Sequence, residues 1–140
     1  MTNQDKTVLV TGGSGFIATH CILKLAAAGY KVKSTVRNLE RVSDLNKILD
    51  KAGSTYERLN KIEVDWVSAD LTKDEGWSEA VKGCDYVMHV ASPVALEEPK
   101  DENDLIVPAK EGTMRVLKAA AEEGIKKIVL TSSVAAIIYG

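Results

Sequence analysis

Gly12-Gly13-Ser14-Gly15 has the residue types and spacing of a turn that wraps a phosphate. It follows the apolar run Val8-Leu9-Val10 and Thr11. It leads at once into a helical pattern in which Ile17, Cys21, Ile22, Leu25 and Ala26 recur on one side. A strand, a glycine turn and a helix in that order aim unpaired helix N–H groups at an anion. Gly12 supplies the tight turn and Gly15 the close backbone approach that a pyrophosphate requires, while Thr11, Gly13, Ser14, Phe16 and Ile17 complete the contact stretch. Ala18 takes the third small position. No lysine follows the glycines, which argues against a triphosphate loop of the Gly-Lys-Ser/Thr kind. The chemistry expected is dinucleotide binding.

Three further segments bear on which dinucleotide. After the second apolar run the chain reads Ser34-Thr35-Val36-Arg37-Asn38, with no carboxylate before Glu40 to take the ribose hydroxyls of NAD. Arg37, assisted by Arg41 one helical turn on, instead suits the 2′-phosphate of NADP. Charge-assisted bonds of this kind contribute roughly 1.5–3 kcal/mol each, about a ten- to hundredfold preference. Asp70-Leu71 follows the third apolar run, where a carboxylate accepts from an adenine amino group and a leucine packs near the base. Aspartate also opens turns for local reasons. Val90-Ala91-Ser92-Pro93 follows the fourth run and offers a wall of small residues to the inner ribose, or an ordinary turn.

The elements that must position these residues alternate. Strands are expected at Thr7–Val10, Tyr30–Val36, Ile62–Val67, Cys84–Val90 and Ile128–Thr131. A first helix spans Gly15–Ala28 and closes at Gly29. A second spans Leu39–Lys51, with Val42, Leu45, Ile48 and Leu49 on one face, and stops near Gly53. A short third helix holds Trp77, Ala80 and Val81, with Asp74 or Thr72 as its cap. A polar loop carrying Pro99 and Pro108 precedes a long helix that ends near Glu123 and Gly124, with Val107, Met114, Val116, Leu117, Ala120 and Ala121 on its apolar side. Five strands separated by helices predict an α/β doubly wound Rossmann fold with a parallel sheet in the order 3-2-1-4-5, and a ligand over the carboxyl ends of strands one and four.

The bulk properties exclude several classes. The 140 residues suffice for one core, and 20 acidic against 18 basic side chains with no basic tract disfavour nucleic acid as the main partner. Residues 1–6 lack the pattern of an export signal, and no apolar run reaches the length of a membrane span. Cys21 and Cys84 are expected as core or near-core thiols of a cytoplasmic protein. His20 and His89 form no spaced ligand cluster, so no metal site is expected.

With these residues in place, the chain resembles the extended short-chain dehydrogenase/reductases, nearest the branch of dihydroflavonol reductase, cinnamoyl-CoA reductase and yeast-type aldehyde/ketone reductases. The segments that carry the resemblance are Val10–Ile17, Thr35–Asn38, Asp70-Leu71, His89–Pro93 and Thr131-Ser132-Ser133. The resemblance implies hydride transfer between NADPH and an aldehyde or ketone. In it a tyrosine is the general acid, a nearby lysine lowers that acid's pKa, and a serine bonds the substrate oxygen. Ser133 matches that serine, with Ser132 its nearest rival. Alternatives of the same superfamily are a sugar epimerase/dehydratase and a hydroxysteroid dehydrogenase; a non-catalytic NADP-binding regulator is a third reading.

The chain departs from the family pattern at Ala18, at Glu111 where an asparagine is usual, and in its length. The family's Tyr-x-x-x-Lys pair, sixth strand and substrate lobe belong beyond Gly140, and Tyr139 resembles an ordinary Tyr-Gly step. Residues 1–140 are therefore expected to be the N-terminal part of an NADP-binding domain, a fragment unable to turn over substrate alone. Its last strand and the apolar stretch Val134–Tyr139 are expected to favour self-association.

Overall fold

In the strand β1 (Thr7–Val10), the residues Val8, Leu9 and Val10 are all buried, which only a central strand covered on both faces achieves. The computed structural model, which describes residues 3–93 and 99–138, places β1 between β2 (Lys31–Val36) and β4 (Tyr86–His89). With β3 (Val64–Ser68) and β5 (Lys127–Leu130) the sheet is entirely parallel, in the expected order β3-β2-β1-β4-β5. Val8 pairs with both Val32 and Tyr86, so the carboxyl ends of the three central strands finish together.

Helices α1 (Phe16–Ala27) and α2 (Val42–Ala52) cover one face, where Val10, Ala18, Ile22, Val32 and Leu49 pack together. Helices α3 (Trp77–Val81) and α4 (Asn103–Glu122) cover the other, where Leu9, Val87, Trp77, Val81, Val116 and Ala120 meet. Gly29 and Gly124 end α1 and α4 with φ of +84° and +79°, the left-handed turn that glycine adopts without strain. Among the described residues no helix is long and apolar enough to cross a membrane.

Several expected boundaries shift, each for a local reason. The long helix begins at Asn103, so Pro108 lies inside it and not in a loop. Its start is fixed by a reciprocal cap: Asp101 Oδ1 accepts from the Asn103 N–H at 2.8 Å, and Asp104 Oδ2 accepts from the Asp101 N–H at 3.3 Å. Its buried side is Gly112, Val116, Ala119 and Ala120, whereas Val107, Met114 and Ala121 are exposed. On α2 only Leu45 and Leu49 are buried, and Ile48, a third of a turn away, faces solvent.

Gly53 does not end the second helix by a left-handed turn. Its φ is −59°, the coil continues as a wide turn to Glu57, and the left-handed residue is Arg58. Gly53 is small because a Cβ there would lie 2.6 Å from Ile62 Cδ1. The backbone N–H of Ile62 is in turn taken by Asp50 Oδ1, and β3 starts only at Val64. Neither Thr72 nor Asp74 caps α3; Gly76, at φ +87°, takes the cap position, where a Cβ would meet the Ser68 carbonyl at 2.2 Å.

Cys84 is buried and Cys21 half-buried; burial pushes the Cys84 thiol up to about 11. Short helix α5 (Val134–Ile138) follows β5, and Val129, Leu130, Val134, Ile137 and Ile138 are exposed along this edge. Tyr139 and Gly140 lie outside the described residues.

Candidate functional site

The turn after β1 is held from beneath by β2. Thr35 Oγ1 accepts from the Gly12 N–H at 2.9 Å, and the Gly13 N–H donates to the Thr35 carbonyl at 2.8 Å. Gly12 has φ +72°, and a Cβ there would press on Ala91 at 2.9 Å. Gly13 is buried against Ser34 and Trp66, which leaves room for no side chain. The turn closes when the Gly15 N–H donates to the Gly12 carbonyl, and Gly15 becomes the N-cap of α1. Among the described residues no side chain caps that helix, so its first-turn N–H groups remain to meet a ligand.

These residues open onto a cleft of about 730 Å³ across the carboxyl ends of the strands. It is lined by Gly12, Ser14, Gly15, Phe16, Ile17 and Ala18 after β1, and by Thr35, Val36 and Arg37 after β2. Ala69–Thr72 line it after β3, and Val90–Pro93 after β4. Trp77 from α3 and Asp104, Leu105 and Pro108 from the start of α4 close the far side. The site thus lies where strand order reverses between β1 and β4, the position expected for a ligand in an open α/β sheet.

The wall after β4 hangs on Thr11. This fully buried hydroxyl accepts from the Val90 and Ala91 N–H groups, both at 3.0 Å, and lies 2.8 Å from His89 Nδ1. A hydroxyl has one hydrogen and two acceptor positions. Both acceptor positions are filled, so its hydrogen goes to His89 Nδ1 and the imidazole is neutral with its proton on Nε2. Burial also pushes the His89 pKa below its ordinary value.

The wall after β3 is a clamped turn. Asp70 Oδ1 accepts from both the Thr72 N–H and its hydroxyl, each at 2.9 Å. The Thr72 N–H bond, with help from the hydroxyl and the Arg37 charge, holds the Asp70 carboxyl below its usual range. Trp77 Nε1 donates to the carbonyls of Asp70 and Lys73. From α4, Arg115 Nη1 donates to the Leu71 carbonyl at 3.1 Å and Nε to Asp74. Gly112 permits this approach, since a Cβ there would lie 2.9 Å from that of Leu71. Glu111 pairs with Arg115 at 3.6 Å.

The residues expected from the sequence fall into two groups. Gly12, Ser14, Gly15, Phe16, Ile17, Arg37, Asp70, Leu71, Val90, Ala91, Ser92 and Pro93 line one cleft. Thr11 and Gly13 are buried behind it and act by shaping it, and Arg41 is exposed outside its lining. Ser133 also lies outside the lining. Its Oγ accepts from the Ala135 N–H at 3.2 Å, as a helix cap does, just past the carboxyl end of β5. Thr35, Trp77, Asp104, Leu105 and Pro108 belong to the site but were not singled out in the sequence. The readable signal for Thr35 is a hydroxyl at the end of the strand beside the glycines. Among the described residues no group of histidine, cysteine and carboxylate side chains gathers as a metal site.

Comparison with known proteins fits this geometry. Residues 9–139 match the model of the 3-beta hydroxysteroid dehydrogenase/isomerase family. Among curated relatives, dihydroflavonol 4-reductase from Hordeum vulgare is 39% identical over 138 residues, covering 98% of this chain and 37% of the relative. A (2S)-flavan-3-ol-forming anthocyanidin reductase from Vitis vinifera is 35% identical over 133 residues, 94% of this chain and 37% of its own length. The chain therefore spans well under half of these relatives.

Among solved structures, Gre2 of Candida albicans in complex with NADPH superposes with a TM-score of 0.75 at 31% identity, covering 94% of this chain and 38% of that one. A UDP-glucose 4-epimerase from Bifidobacterium longum, in complex with NAD+ and UDP, gives 0.72 at 27% identity, covering 96% and 38%.

Proposed function

We propose a function from one premise: this chain belongs to the 3-beta hydroxysteroid dehydrogenase/isomerase family, within the extended short-chain dehydrogenase/reductases, on the branch of dihydroflavonol and anthocyanidin reductases. It carries the NADP-binding part of a reductase that acts on an aldehyde or ketone. The observation that carries this reading is Arg37, which lines the same cleft as the glycine turn and forms no ion pair among the described residues. The residues fit the cofactor. Gly12–Gly15 and the uncapped start of α1 take the pyrophosphate, Arg37 with Arg41 the 2′-phosphate, Asp70 and Leu71 the adenine end, and Val90–Pro93 the inner ribose.

Bound NADPH supplies the hydride. Ser133 is assigned a hydrogen bond to the substrate oxygen, on the strength of its match to the family's serine. The 140 residues contain no Tyr-x-x-x-Lys, so by themselves they bind cofactor and do not reduce a carbonyl. The epimerase/dehydratase, hydroxysteroid and regulator readings share this fold. Arg37 in place of an acid counts against an NAD-retaining epimerase.

Calorimetric titration of the protein with NADP+ and NAD+ tests the reading. NADP+ is expected to bind about ten- to a hundredfold more tightly, and Arg37→Met to remove the difference. Equal affinity in the unaltered protein would overturn the assignment.

A further inference from the structure

Glu40 stands between Arg37 and Arg41 in the chain and pairs with neither. Asn38 grips it instead from two sides. The Asn38 Oδ1 accepts from the Glu40 N–H at 2.8 Å, and its Nδ2 donates to Glu40 Oε2 at 3.1 Å. A carboxylate flanked by two guanidiniums ordinarily takes one of them, because charge-assisted pairs are stronger than bonds to a neutral amide. The local backbone explains the exception. Asn38 is extended, at φ −133° and ψ 116°, and caps the single tight turn Leu39–Arg41, so its side chain folds over Glu40.

We propose that Asn38 determines cofactor specificity by holding Glu40 away from Arg37. The consequence is twofold. The guanidinium at the end of β2, whose charge already acts on Asp70, is spared a second carboxylate, and the first carboxylate after that strand is withheld from a ribose hydroxyl. The inference rests on the NADP reading of Arg37 given above. Asn38 acts through two neighbours, so it is a positioning residue.

The test is a calorimetric cycle with NADP+ and NAD+ on the unaltered protein, Asn38→Ser, Glu40→Gln, the double variant and Arg37→Met. Serine keeps an oxygen to cap the Glu40 N–H but loses the amide donor. Asn38→Ser is expected to weaken NADP+ about two- to fivefold, the weight of one exposed ion pair, and to leave NAD+ unchanged or tighter. Adding Glu40→Gln is expected to restore NADP+ binding, while Glu40→Gln alone does not weaken it. The inference is overturned if the double variant stays as weak as Asn38→Ser, if Asn38→Ser weakens both cofactors alike, or if it changes neither. Arg37→Met separates the two ideas. If it leaves the cofactor ratio intact, the NADP reading itself fails; if it abolishes the ratio while the cycle shows no rescue, only the role of Asn38 fails.

Discussion

Replacing Thr11 by valine removes one hydroxyl and strands three groups at once. Valine keeps the shape and the β-branch of threonine, so the change isolates the hydrogen bonds. The Val90 and Ala91 N–H groups lose their acceptor and His89 Nδ1 loses its donor, in a place where Thr11 and His89 are both fully buried. A buried polar group left unpaired costs roughly 1–3 kcal/mol. The two N–H groups are only part-buried and admit water, which puts the total at about 3–5 kcal/mol, a large share of the roughly 5–15 kcal/mol that a domain has. Thr11→Ser keeps all three bonds and gives up one methyl, at about 1 kcal/mol. Urea unfolding of the three proteins, followed by circular dichroism, measures both. If valine proved within about 1 kcal/mol of threonine, or serine as damaging as valine, the hydroxyl would not be what holds the β4 wall.

His89 gives a pH signature. Its folded pKa lies below its ordinary 6.5, so the unfolded chain binds the extra proton; stability is full above 6.5 and declines as pH falls through it, until the folded-state value is passed. His89→Gln should flatten that slope, and an unchanged slope would assign it to another group. Gly13→Ala should cost about 1–3 kcal/mol by overpacking, because its Cβ would sit 2.3 Å from Ser34 Oγ, which is itself tied to the Val10 carbonyl. Gly15→Ala, whose Cβ would meet only the Gly12 carbonyl at 3.2 Å, should cost less; the reverse ranking in urea midpoints would contradict this packing. Arg115→Met should speed amide exchange at Lys73, whose N–H bonds the Asp70 carbonyl, while leaving β1 protected. Unchanged exchange there would show that the Thr72 and Trp77 bonds hold the turn without Arg115.

The strand order and the cleft were legible because buried parallel strands appear as apolar runs, and because glycine, arginine and aspartate stand where those runs end. Lys33 shows where that reading stops. It lies in the buried middle of β2, and its Nζ is satisfied by the carbonyls of Glu79 and Lys82 at 2.7 and 3.2 Å, partners that no spacing announces. Pro108 reads as a helix breaker, yet the cap between Asp101 and Asp104 starts the helix ahead of it. Gly53 reads as a stop, and α2 does end at Ala52, but the glycine's smallness answers to Ile62 across the packing. Trp77 was legible as a helix residue and not as a cleft wall, since that role depends on the Asp70–Lys73 turn folding over its indole. Asn38 was visible only as a neighbour of Arg37; its grip on Glu40 needs side-chain geometry.

The cleft between the ends of β1 and β4 is proposed to be an NADP site read by Arg37. A crystal structure of the protein with NADP+ tests it most directly. The pyrophosphate is expected over Gly12–Gly15 at the start of α1, with the 2′-phosphate on the Arg37 guanidinium. A nucleotide bound outside this cleft, or one whose 2′-phosphate points away from Arg37, would contradict it.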